Sequence, residues 1–127
     1  MLGFSIYPHH LKDSSNCTVE SFCQMIADTA SRFGIEHLGI GTDLCQDQPD
    51  SVVEWMRVGR WSKEIDYGEG SADNAGFPAM PEWFTDNRDF NNIKQGLLKV
   101  GMNATEADAV MGGNWYRFFA ENFSPLP

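Results

Sequence analysis

Basic residues are scarce in this sequence: 9 Lys and Arg stand against 18 Asp and Glu, a formal net charge of -9. Nucleic-acid phosphates need a basic footprint, so a nucleic-acid partner is not expected. The same deficit disfavours an anionic membrane surface, and no apolar run approaches the length of a membrane span. Acidity of this size promotes solubility and names no partner. Cysteine is also rare. Cys17, Cys23 and Cys45 are 3 in number, at gaps that fit neither a paired zinc motif nor a disulfide framework. The odd count and the missing secretory signal give a reducing cytoplasm as the expected location. On that expectation Asn16-Cys17-Thr18, Asn103-Ala104-Thr105 and Asn122-Phe123-Ser124 are chance matches to the glycosylation pattern. A nucleophile elbow, a phosphate-cradling glycine loop, internal repeats and low-complexity tracts are all lacking.

What is present is enough for one domain. A chain of 127 residues can bury a real core and is too short for two ordinary domains, and a hydrophobic fraction of 42% argues against disorder. Met1 to Ile6 reads as a strand with almost no run-in, which leads to the expectation that something upstream is missing. Tyr7-Pro8-His9-His10 reads as a loop, because proline disfavours helix for the residue before it. Thr18 can cap a helix running to about Phe33, with Val19, Phe22, Cys23, Ile26, Ala27, Ala30 and Phe33 at helical spacing on one face. Gly34 suits the left-handed position that ends a helix.

The next stretch, His37-Leu38-Gly39-Ile40-Gly41-Thr42-Asp43, is a short apolar run that reads as a buried strand. Glycines alternate with Leu38 and Ile40, so one face carries aliphatic bulk and the other almost nothing. Glycine inside a strand marks close approach by a ligand or another backbone. Strand, helix and strand with a crossover of this length predict a parallel βαβ unit. Asp43 then falls where the second strand gives way to loop, the end at which parallel α/β folds place their chemistry. The alternative reading is that Asp43 caps a turn.

Beyond Asp43 the pattern weakens. Ser51 to about Lys63 is a candidate helix, and Glu64 to Arg88 has no clear period. Phe90, Ile93, Leu97 and Leu98 mark a helix that stops at Gly101. Asn103 with Glu106 is a capping-box start for a helix predicted to end at Gly112-Gly113, and Asn114 to Phe123 is a last aromatic helix. The chain therefore divides into a βαβ unit at 1–43, a long loop or insert at 44–89 and closing helices at 90–127. Two adjacent parallel strands make a poor sheet alone. They make sense as the closing portion of a larger α/β barrel.

His9, His10 and Asp43 lie just beyond the C-terminal ends of neighbouring predicted strands and could hold a divalent ion. Adjacent histidines point in different directions, however, and no metal site is assigned to this chain. His37 precedes its strand and reads as structural. Asp47 and Asp50 could add charge or simply solvate a turn. Trp55, Trp61, Tyr67, Phe77, Trp83 and Phe84 could line a cleft, and core packing is the simpler reading. Cys23 reads as core.

These residues resemble a family. Gly34-Ile35-Glu36-His37-Leu38-Gly39-Ile40-Gly41-Thr42-Asp43 is similar to the G-[I]-D-H-[VI]-G-I-G-[ST]-D signature of the membrane (renal) dipeptidase family of zinc peptidases, within the amidohydrolase-like metal barrels. Leu2-Gly3-Phe4-Ser5-Ile6-Tyr7-Pro8 looks like that family's seventh strand and following loop. Phe90 to Gly101, Asn103-Ala104-Thr105-Glu106 and Gly112-Gly113-Asn114-Trp115-Tyr116-Arg117-Phe118 resemble its closing helices with their G-x-N-x-x-R ending. The resemblance implies the last two strands and closing helices of a (β/α)8 barrel whose full-length members hydrolyse dipeptides at a pair of zinc ions. It implies that Asp43 orients or deprotonates a metal-bridging water and passes a proton to the leaving amine, and that Tyr7 and its neighbours face the substrate. The family's metal ligands, a His-x-Asp pair, a bridging glutamate and two further histidines, have no counterpart in this chain. Asp43-Leu44-Cys45-Gln46 also replaces the common Asp-Phe-Asp-Gly. The chain alone is thus expected to be inactive and, with sheet faces to cover, a homo-oligomer. A non-catalytic assembly or binding module is the rival reading.

Overall fold

β1 (Leu2–Phe4) and β2 (Leu38–Ile40) pair in parallel, with Leu2 opposite Leu38, Gly3 opposite Gly39 and Phe4 opposite Ile40. The computed structural model that shows this describes residues 1–44, 49, 51–52 and 78–123. The ladder outlasts the strands: Gly41 N–H donates to Phe4 O at 3.0 Å, and Ile6 N–H donates to Thr42 O at 3.1 Å.

Between the strands runs α1 (Val19–Phe33), with local causes at both ends. Thr18 Oγ1 accepts from the Ser21 N–H at 3.1 Å, filling one of the orphan donors of the first turn. Gly34 ends it with φ +85°, and a Cβ there would meet the Glu36 carboxylate at 2.7 Å. Phe22, Cys23 and Ile26 are buried, as the periodicity predicts. Phe33 is not: it is 69% exposed, because the helix leaves the core one turn before it ends.

α2 (Phe90–Lys99) crosses α1 closely, at the glycine in its middle. A Cβ on Gly96 would lie 2.6 Å from Cys23 Sγ and 3.0 Å from Val19 Cγ2, so the crossing requires glycine. Burial pushes the Cys23 thiol up to about 12 and raises Cys17 as well, which makes both thiols inert core groups. α3 (Ala104–Asp108) starts on the expected reciprocal cap, with Asn103 Oδ1 accepting from Glu106 N–H at 3.0 Å and Glu106 Oε2 accepting from Asn103 N–H at 2.8 Å. The predicted end at Gly112-Gly113 is where two helices meet across a kink. Ala109–Gly113 forms a π-helical stretch that passes directly into α4 (Asn114–Asn122). Gly112 takes non-helical dihedrals within it and redirects the axis.

One core unites these elements: Phe4 and Ile6 from the first strand segment, Leu38, the buried face of α1, Ile93 and Leu97 of α2, Ala107 and Val110. Part of the stretch read as a patternless loop belongs to it. Phe84 is fully buried, Trp83 packs against Phe22 with ring centroids 5.3 Å apart, and the Trp83 indole N–H donates to Cys17 O at 2.7 Å. The predicted helix beyond Val52, and Cys45, Asp47, Asp50, Trp55, Trp61, Tyr67 and Phe77, lie outside the described residues. Among the described residues, no helix is long and apolar enough to cross a membrane.

Candidate functional site

Parallel pairing decides which side chains meet. Because Ile6 bonds Thr42, the next residues, Tyr7 and Asp43, leave the sheet together at its C-terminal end. Asp43 is exposed and adopts φ +53°, the left-handed region that aspartate tolerates better than most residues. Leu44 N–H reaches Thr42 Oγ1 at 3.4 Å in the same turn. Glycines keep this level of the sheet clear, since a Cβ on Gly41 would meet Gly3 backbone atoms at 3.7 and 3.9 Å.

Tyr7 is buried at this end, with its ring edge-on to both histidines, 5.6 Å from His9 and 5.3 Å from His10. The groups presented to solvent here are therefore the exposed His9 and His10. Ser5 organises the turn. Its Oγ accepts from Tyr7 N–H at 3.1 Å and hydrogen-bonds His10 Nδ1 at 3.0 Å. His37 lies before β2 at the opposite end, where its Nε2 stands 3.4 Å from Glu36 Oε1 in an exposed pair worth little to stability. Among the described residues, no three His, Cys, Asp or Glu side chains converge as a metal-binding group.

The outer edge of β2 is built quite differently, by three residues to which the sequence analysis gave no role. Trp115 of α4 fills the glycine face: a Cβ on Gly39 would lie 2.3 Å from its Nε1, and one on Gly3 would lie 3.3 Å from its Cζ2. The same indole N–H donates to Ile40 O at 3.0 Å. Asn114, 2% exposed, donates both amide hydrogens, to Ile35 O and to Leu38 O at 2.8 Å each. Gly41 faces β1 with its N–H, so Leu38 and Ile40 turn their carbonyls outward, and α4 satisfies that outer edge with side chains. Arg117 Nη2 adds a bond to Glu36 O. The close approach that Gly39 signalled is thus made by an aromatic side chain of the same chain, neither a ligand nor a backbone. The signal was legible in the Gly-x-Asn-x-x-Arg spacing, whose Asn114 and Arg117 now have structural roles.

No protein-family model matches the chain, and no curated protein matches it. The crystal structure of an amidohydrolase from Pseudomonas aeruginosa does, with a TM-score of 0.76 over 93% of this chain at 25% identity. The fold is amidohydrolase-like. The chain spans 34% of that structure's length. An amidohydrolase-like fold matched over a third of a longer chain is consistent with a fragment of a barrel-like α/β domain. Asp43 lies at the open C-terminal end of the two strands, beyond the part of β2 that α4 clamps.

Proposed function

We propose that this chain is the C-terminal part of a dipeptidase-like zinc hydrolase that cleaves the amide bond of dipeptides, in the cytoplasm. The observation that carries the reading is the paired exit of Tyr7 and Asp43 at the C-terminal end of a parallel sheet whose glycines leave space there. Asp43 is the carboxylate that takes a proton from the attacking water and returns it to the leaving amine, and Tyr7 supports the wall against which the substrate lies. The left-handed turn at Asp43 fixes where the carboxylate emerges. Zinc supplies polarisation of the scissile carbonyl in this class of hydrolase. Its ligands would come from strands other than β1 and β2.

The test is an assay of the purified chain with zinc and a dipeptide panel, together with the coding sequence upstream of Met1. No turnover by the chain alone and a His-x-Asp pair on an upstream strand are expected. Zinc-dependent cleavage by the chain alone, abolished in Asp43→Asn, would overturn the division of the site between this chain and the rest.

One observation favours a second reading, an oligomeric assembly module. α4 turns Tyr116 (79% exposed), Phe119 (51%) and Phe123 (68%) to solvent as one aromatic face. Light scattering tests the second reading: a concentration-independent monomer removes the module, whereas an oligomer is expected on both readings.

A further inference from the structure

The Ser5–His10 pair is not accounted for by any role given above, and its geometry is specific. We propose that His10 is the specificity-determining residue that holds the substrate's carboxylate, and that Ser5 is the positioning residue that sets its imidazole. The inference rests on the dipeptidase-like reading and adds to it the group that recognises the substrate's acidic end.

The reasoning starts at Ser5 Oγ. One lone pair is occupied by the Tyr7 N–H at 3.1 Å, and the hydroxyl lies 3.0 Å from His10 Nδ1. The hydroxyl keeps its own proton and a second lone pair, and the proposal takes it as the donor to Nδ1. On that assignment the imidazole carries its proton at Nε2, and Ser5 favours the tautomer in which Nε2 is a donor. Tyr7 then limits the ring's rotation by packing edge-on against it at 5.3 Å. The result is a donor of fixed direction on an exposed side chain, with no hydrogen-bond partner for Nε2 among the described residues.

Charge explains why a donor is required there. The chain carries a net charge of -9, and Asp43 leaves the sheet at the same end. A substrate with a free carboxylate is repelled by such a surface unless a donor offsets it. His10 supplies that donor at the end of the sheet where Asp43 emerges. His9 also packs edge-on to Tyr7, with no hydroxyl bonded to its ring among the described residues, so it is the natural comparison.

Two measurements decide the matter. Nitrogen-15 NMR of the 127-residue chain, with glycylglycine and glycylglycinamide as probes, reads the imidazole directly. His10 is expected as the Nε2–H tautomer, losing that preference in Ser5→Ala. Its Nε2 signal is expected to move with glycylglycine and several-fold less with the amide. An Nδ1–H tautomer, indifference to Ser5→Ala, or equal responses to the two probes would overturn the proposal. In the full-length protein, His10→Ala is expected to raise KM for dipeptides by at least about tenfold with kcat changed less than about twofold. His10→Gln is expected to recover part of the loss and His9→Ala to leave KM unchanged. Unchanged KM in His10→Ala, with wild-type turnover intact, contradicts this proposal. Absence of dipeptide turnover in the wild-type protein contradicts the dipeptidase-like reading instead.

Discussion

Gly39 and Gly41 stand two residues apart on one face of one strand, yet they serve opposite purposes. Gly39 is a socket, with Trp115 lying so close that no side chain fits. Gly41 is clearance, with only the backbone of Gly3 near its missing Cβ. The strand is clamped along Leu38–Ile40 and open just beyond, at Gly41. A barrel strand that carries chemistry at its tip benefits from this division, because the catalytic end must stay accessible while something else holds the backbone in place. α4 does the holding, through the buried amide of Asn114 and the indole of Trp115.

The largest way to break the comparison is Gly39→Ala. Its methyl displaces Trp115, and the expected loss of stability is about 3 kcal/mol, the upper end for overpacking a filled site. Chemical denaturation measures it, and the same substitution in a Trp115→Ala background is expected to cost much less, since the pair is in contact. Asn114→Ala comes next, at about 2 kcal/mol, because it strands the carbonyls of Ile35 and Leu38 without replacement donors. Gly41→Ala sharpens the contrast from the other side. Its methyl meets ordinary van der Waals distances, and denaturation is expected to register less than about 0.5 kcal/mol.

The smallest effect lies away from the sheet, at the entry to α2. Hydrogen bonds from the Arg88 side chain and backbone hold the Asp86 carboxyl down to about 2, and Thr85 lowers Asp89 in the same cap. A carboxyl whose pKa is depressed by folding stabilises the fold above its ordinary value, near about 4. That contribution is lost as pH falls through about 2. The melting temperature of the wild type is therefore expected to converge on that of Asp86→Asn between about pH 4 and pH 2, by a small amount because the Arg88 side chain is 89% exposed and solvent screens the pair. A constant gap across that range would remove the pair from the account.

Local rules made much of this fold legible. Thr18, Gly34 and the Asn103–Glu106 box act within a few residues of themselves, and each element they bound is where the sequence places it. Asp43 at a strand end was legible for the same reason, because period and punctuation locate a strand tip. The glycine pair after α3 was legible as well, because Gly112 leaves helical dihedrals and kinks the chain there. What failed depends on distant partners. The occupant of the Gly39 face is 76 positions away in sequence, and nothing local to either residue names the other. Phe33 satisfies helical spacing and still faces water, since periodicity gives a face and not the length over which that face is covered.

The central claim is that the open end carries the chemistry and that Asp43 performs it. The most direct test is Asp43→Asn in the full-length protein, with dipeptide turnover and bound zinc measured on the same sample. The account predicts that turnover falls by at least about a hundredfold, the size expected for loss of a general base, while zinc content and melting temperature stay at wild-type values. Turnover that survives in Asp43→Asn with zinc bound would contradict it.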